Sequence, residues 1–568
     1  MDSRFRAFIT LVALVAMVCG TPTLAQNVSS TWVADQGDGT YRNPIIHADY
    51  SDPDLCRVGK DYYMTASSFQ CTPGLPILHS RDLVNWRIVN YALPRLVPTD
   101  FYATPQHGKG VWAPSIRYHK GVCYIYWGDP DFGIYMVRTR NPLGLWEEPV
   151  LVKAGKGMID PTPLWDDDGR VYLVHAWAGS RAGFNSVLTV CELSADGTSV
   201  VGDEVMVFDG YDGINHTVEG PKLYKRNGYY YIFTPAGGVA TGWQLVLRSR
   251  HIYGPYDKRI VMAQGNSDVN GPHQGGWVDT PKGESWFLHF QDKGLYGRVL
   301  HLNPMRWVDD WPVIGSVAED ESTLASGRTD DSKPSCGTPV MTYRKPDVGR
   351  TYPMASPQES DEFDTCELGL QWEWHANRQS TFGFPTRQGY FRLYGHQLSE
   401  SFVNMWEVPN LLLQKFPAPS FTATTKVKIA AKANAFGVRS GLVVMGYDYS
   451  ALVVENTEGG FCLKQATCHD ADQGAKEESV VLADLPAHRY EAGAIANKDV
   501  DVYLRVKVDE GGLCHFSYST DGRRYTPAGH AFKARQGKWI GAKVGFCSTT
   551  PHGKDRGWMD IDWFRMER

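Results

Sequence analysis

Three acidic residues stand beside glycine or proline just ahead of an apolar segment, in widely separated parts of the 568-residue chain. Asp52 lies in Ser51-Asp52-Pro53-Asp54, Asp160 in Met158-Ile159-Asp160-Pro161 and Glu219 in Val218-Glu219-Gly220-Pro221. A single Asp-Pro step marks the start of a turn. Three carboxylates at matching places of a repeating fold point to a cluster, which can hold and pass protons as general acid and base. Asp54 is a lower-ranked rival for the place of Asp52. No CxxC pair and no HExxH occur, so a zinc centre has no support.

Distant carboxylates meet only if the elements carrying them converge. Five segments pair a turn with an aromatic strand, starting at Gly59, Gly121, Asp168, Asn227 and Gly283. Their glycines recur roughly every 50 to 60 residues, the scale of one four-stranded propeller blade. A second repeat agrees: Ser80-Arg81, Thr139-Arg140 and Ser249-Arg250 each lead into a turn and then an aromatic, Trp86, Trp146 or Tyr256. The spacing predicts an all-β chain that begins with a five-bladed β-propeller over residues 37–315. Residues 316–358, rich in Ser, Asp, Pro, Gly and Thr, read as a linker. Residues 359–568 alternate apolar and polar positions between turns such as Asp521-Gly522, the pattern of a β-sandwich.

Composition fits this reading and excludes others. The formal net charge is −6 without basic blocks, against a nucleic-acid partner. The 18 Trp, 29 Tyr and 23 Phe, with 57 Gly and 33 Pro, suit short strands and tight turns. Arg4 and Arg6 precede an apolar run and a small-residue exit at Ala25, so residues 1–25 read as a signal peptide. Export to a periplasm or beyond the cell is expected, with no membrane span.

The motifs carry a resemblance. Asn43-Pro44-Ile45, the stretch around Asp52, Trp112-Ala113-Pro114-Ser115, Ile159-Asp160-Pro161, Glu219-Gly220-Pro221 and Trp307-Val308-Asp309-Asp310-Trp311-Pro312 resemble glycoside hydrolase family 43. Asp361-Glu362-Phe363 and Gln371-Trp372-Glu373-Trp374 resemble the concanavalin-like sandwich of its β-xylosidase-type members. The resemblance implies a five-bladed enzyme that hydrolyses glycosidic bonds with inversion, Asp52 being the base, Glu219 the acid and Asp160 the carboxylate that tunes the acid. It implies that Arg298 points at the sugar and that His273 stands near the axis, as the residue that would approach a central calcium or water. Trp112 and Phe69 are candidates for the pocket wall, because sugar faces are apolar enough to stack on rings. No cofactor is required; a calcium ion at the axis is the one ion the resemblance allows. The expected partner is an oligosaccharide or polysaccharide, xylan or arabinoxylan, losing terminal β-D-xylose or α-L-arabinofuranose. A non-catalytic carbohydrate-binding propeller and a five-bladed fructan hydrolase are the alternatives. Residues 548–557 are the expected loop by which the sandwich closes the cleft.

Overall fold

Each aromatic repeat is the second strand of a hairpin, entered through a glycine in the left-handed region: Gly59, Gly121, Gly169, Gly228 and Gly283. The computed structural model describes residues 28–211, 213–317, 337–431, 435–485, 488–489 and 498–568. The signal-peptide expectation, residues 1–25, lies outside the described residues, as do residues 318–336 of the expected linker.

Five four-stranded antiparallel sheets follow one another in the chain, each pairing its strands in sequence order. The first is Asp54–Val58, Asp61–Thr65, Gly74–Ser80 and Arg87–Leu93. The Ser/Thr-Arg repeat occupies the turn between third and fourth strands, where Trp86 is buried and its Nε1 donates to Leu83 O at 2.7 Å. The first strands of the five blades, Asp54–Val58, Trp112–His119, Met158–Trp165, Lys222–Arg226 and His273–Asp279, face one another around the axis.

The wheel closes without a shared strand. Ile45 and Leu300 donate their N–H groups to Leu300 and Ile46 carbonyls at 2.7 and 3.1 Å, tying the start of the chain to the fifth blade. Thr342–Arg344 then pairs with Thr40–Arg42. Chain on both sides of the propeller is therefore stitched to the blade that needs closing.

The C-terminal unit stacks two sheets, of eight and nine strands among the described residues, over one apolar core. Strand Val500 to Val508 shows why: its apolar residues at alternate positions are all buried in that core. Tyr296 and Val299 of the propeller belong to the same core, so the two units share their interior. Trp374 and Thr72 exchange backbone hydrogen bonds at 2.6 and 3.1 Å across the junction.

The junction also buries charge. Glu373 is 2% exposed and accepts from both Lys415 and Lys543. Burial alone would raise its pKa, but the two ammonium groups outweigh burial and hold it at about 2. A carboxyl depressed from its ordinary 4.5 contributes stability above that pH and loses it as the pH falls toward 2. Glu373→Gln should therefore destabilise the protein by about 3–5 kcal/mol at neutral pH, since it strands two buried cations. The gap from wild type should narrow between pH 4.5 and 2, measured as urea unfolding midpoints.

Candidate active site

The chain enters every blade by the same backbone device. Asp52, Ala113, Asp160, Gly220 and Gln274 all have positive φ, at 53°, 33°, 58°, 61° and 37°. Each stands two residues before a position that faces the axis, and in the first four blades a proline comes between. In blades two, three and five the device is a bulge, with register shifts at Trp112/Ser115, Ile159/Thr162 and His273/Gly275. The bulge turns the left-handed residue toward the open end of the axis and the next-but-one residue into the hub. Ser115 and Thr162 each donate to the proline carbonyl of the following blade, at 2.7 Å. Lys222 Nζ reaches across to Pro114 O at 3.0 Å.

Asp52 and Asp160 hold equivalent places in blades one and three. Glu219 does not, for Gly220 has the matching position in blade four. A side chain there would have to displace Gln274, since a Cβ on Gly220 would lie 2.6 Å from the Gln274 side chain. Glu219 thus stands one residue nearer the surface and keeps a side chain 33% exposed, while Asp160 is buried.

The three carboxylates line one cavity of about 130 Å³, with Phe69, Trp112, Ala113, Ile159, Val239, Gln274, Arg298 and Trp539. Six of these eleven residues, Asp52, Phe69, Ala113, Asp160, Gln274 and Trp539, have left-handed backbones. Such strain collects where side-chain direction matters more than comfort.

Asp52 accepts from Ser67 Oγ at 2.6 Å and Ser51 Oγ at 2.8 Å, and Arg298 Nη1 reaches both of its oxygens at 3.1 and 3.2 Å. Arg298 is itself buried over the Phe290 ring. Asp160 Oδ2 accepts the Gly220 N–H at 2.7 Å. Burial first, then the charges of Glu219 and Asp52, push the Asp160 carboxyl well above its usual range. Burial likewise lowers the Lys222 ammonium, against the opposing pull of Asp54. Glu219 meets His273, whose Nε2 is 3.1 Å from Oε1 and whose Nδ1 is buried without a partner. His273 itself is not among the cavity residues. Asp54, the rival of Asp52, is fully buried in an ion pair with Arg117 and takes the Ile116 N–H at 2.9 Å; it does not line the cavity.

Phe69 and Trp112 form one wall, edge to face at 6.3 Å. The sandwich also lines the cavity, but not through residues 548–557. Lys543–Thr550 is an inner strand, paired on both sides and buried throughout, and none of residues 548–557 is among the cavity residues. The connection before that strand supplies Trp539, 6.2 Å from Trp112 and 6.0 Å from the Arg298 guanidinium. Asp49 fixes both parts. Its carboxylate accepts the N–H of Arg298 and of Gly541, each at 2.9 Å, so one buried side chain sets the arginine and the tryptophan-bearing loop together. Sequence reasoning missed Trp539, Gln274 and Asp49. The signal for the first was an aromatic between Gly537 and Gly541 in an otherwise polar stretch.

Comparison with known proteins agrees with this architecture. The sequence model of glycosyl hydrolases family 43 matches residues 41–312, and that of the β-xylosidase C-terminal concanavalin A-like domain matches residues 360–567. A candidate β-xylosidase of Xylanibacter ruminicola is 38% identical over 91% of this chain and 87% of its own. A β-xylosidase of Formosa agariphila is 30% identical over 96% and 93%. The crystal structure of a xylan β-1,4-xylosidase from Bacillus halodurans superposes with a TM-score of 0.76 at 25% identity, covering 93% of this chain and all of that one. The chain is a glycoside hydrolase belonging to family 43, with the β-xylosidase type of C-terminal domain.

Proposed function

We propose that this hydrolase is exported and releases single terminal pentoses, β-D-xylose or α-L-arabinofuranose, from xylan or arabinoxylan fragments with inversion of configuration. The observation that carries the reading is a small cavity in which carboxylates from three blades meet under an aromatic from the second domain. Its volume of about 130 Å³ suits a terminal residue better than the interior of a chain. Relatives of both specificities support either sugar: a Bacteroides ovatus protein described as a non-reducing end α-L-arabinofuranosidase is 29% identical over 79% of this chain.

In the proposed reaction Asp52 takes a proton from a water, whose oxygen attacks the anomeric carbon. The bond to the leaving oxygen breaks on the opposite face as Glu219 supplies a proton to that oxygen. The serine hydroxyls and Arg298 hold the Asp52 side chain in place. The charge of Glu219, after burial, is a cause that pushes the Asp160 carboxyl up, and Glu219 is the member of the pair with access to solvent. Gln274 Nε2, buried without a partner in the cavity wall, is placed to donate to a sugar hydroxyl.

The chemistry asks for no cofactor. A calcium ion at the axis fits these residues poorly, because calcium takes oxygen ligands and His273 presents a nitrogen. Lys222 and Arg117 already bring positive charge to the hub carboxylates.

Glu219→Gln should slow natural oligosaccharides about 10²–10⁴-fold, and activated aryl glycosides far less, because a good leaving group needs no acid. Equal losses on both would refute Glu219 as the acid. Proton NMR of the first-formed sugar should show the inverted anomer; a retained one would require a carboxylate nucleophile in place of the base. Asp49→Ala should depress kcat/KM on aryl xylosides and arabinofuranosides by about 10-fold or more, by releasing Arg298 and Trp539 together. The unfolding midpoint, measured in parallel, should shift too little to account for that loss.

A further inference from the structure

The base and the acid of this reading lie on different sides of the wheel. Asp52 belongs to blade one, whereas Asp160 and Glu219 enter blades three and four. In a ring of five, the boundary between blades three and four lies opposite blade one. A leaving group protonated by Glu219 therefore departs over that boundary, and what stands there meets the rest of the substrate.

Strand direction identifies what stands there. Asp160 lies near the start of the first strand of its blade, where Met158 pairs with Trp177 at the end of the second strand. The connection after Trp177 is thus on the same face as the carboxylates, as is the connection after Asp209, which pairs with Val187. These two connections carry Phe184 and Tyr211, 46% and 55% exposed. Isolated exposed apolar residues need no explanation. These two are held in place. Phe184 packs on Trp177 at 5.0 Å, and the Tyr211 hydroxyl donates to Asn185 Oδ1 at 2.6 Å. Both connections are also tied to the reacting groups. Ala178 N–H donates to Gly157 O at 2.7 Å, three residues before Asp160, and Thr217 N–H donates to Ser186 Oγ at 2.7 Å, two residues before Glu219.

We propose that Phe184 and Tyr211 form an aromatic platform for the sugar units on the leaving-group side of the scissile bond, binding their C–H faces and extending recognition beyond the single-residue cavity. The proposal rests on the assignment of Asp52 as base and Glu219 as acid. Its ligand is a β-1,4-linked xylo-oligosaccharide chain.

Phe184→Ala and Tyr211→Ala are tested on xylotetraose and on an aryl β-xyloside, which has no sugar on that side. Each variant should lose roughly two- to tenfold in kcat/KM on xylotetraose, mainly through KM, the scale of one aromatic contact. Activity on the aryl xyloside should stay within about twofold of wild type. An unchanged ratio between the two substrates, whether both fall or neither does, would overturn the platform while leaving the assigned reaction intact. A wild-type enzyme that cleaves neither xylosides nor arabinofuranosides would overturn the assigned reaction and the platform with it.

Discussion

The structure depends on one backbone constraint: each inner strand must approach a crowded axis and still send a side chain out of it. An ordinary strand alternates its side chains between two faces and cannot do this within three residues. A left-handed residue followed by proline, or by glycine in blade five, breaks the alternation once per blade. Asp52 and Asp160 point into the cavity because of it, and Asp54, Ser115, Thr162 and Lys222 seal the hub beneath them. A non-glycine residue in this region costs about 1–3 kcal/mol. The bonds on either side offset that cost, from Ser67 to Asp52 above and from side chains to proline carbonyls below.

The second domain completes the cavity, and its position is set by buried polar contacts as much as by apolar packing. Asp49 joins the N-terminal segment, the fifth-blade arginine and the sandwich loop in one carboxylate. The Lys415–Glu373–Lys543 group sits in the same junction. Paired charges buried this way contribute less to stability than apolar groups of the same size would, but they tolerate only one register. Trp539, with its left-handed backbone, stays near Arg298 because the loop carrying it is held at Gly541.

The fold was legible because it repeats. Hairpin glycines and Ser/Thr-Arg turns recur at one spacing, and each repeat obeys local turn chemistry, so a pattern five times over outweighs the ambiguity of any single strand. Asp52, Asp160 and Glu219 stood out for the same reason: they occupy, or adjoin, the one irregular step of each blade. The remaining site residues carried no such mark. Trp539 lies more than 200 residues beyond the propeller's last strand, and only tertiary structure says which sandwich loop faces the cleft. Asp49 resembles any acidic loop residue until its two N–H donors, 249 and 492 positions away, are known. The sequence placed Asp52, Asp160 and Glu219 at matching positions; that Gly220 rather than Glu219 holds the matching place was hidden, because the motifs differ by the one residue that the backbone decides.

That one-residue offset separates two requirements that a single position cannot meet. In blade three the carboxylate at the equivalent position, Asp160, is buried and braced by the Gly220 N–H. In the proposed reaction the acid is reprotonated after every turnover and needs water within reach. With glycine in the braced position and the glutamate placed before it, the carboxyl lies beside Asp160 and still keeps a third of its surface open. Gln274 packs closely against Gly220, and a side chain there would displace it in the cavity wall. In the proposed reaction Gly220 is thus the residue that leaves the place of the acid to Glu219.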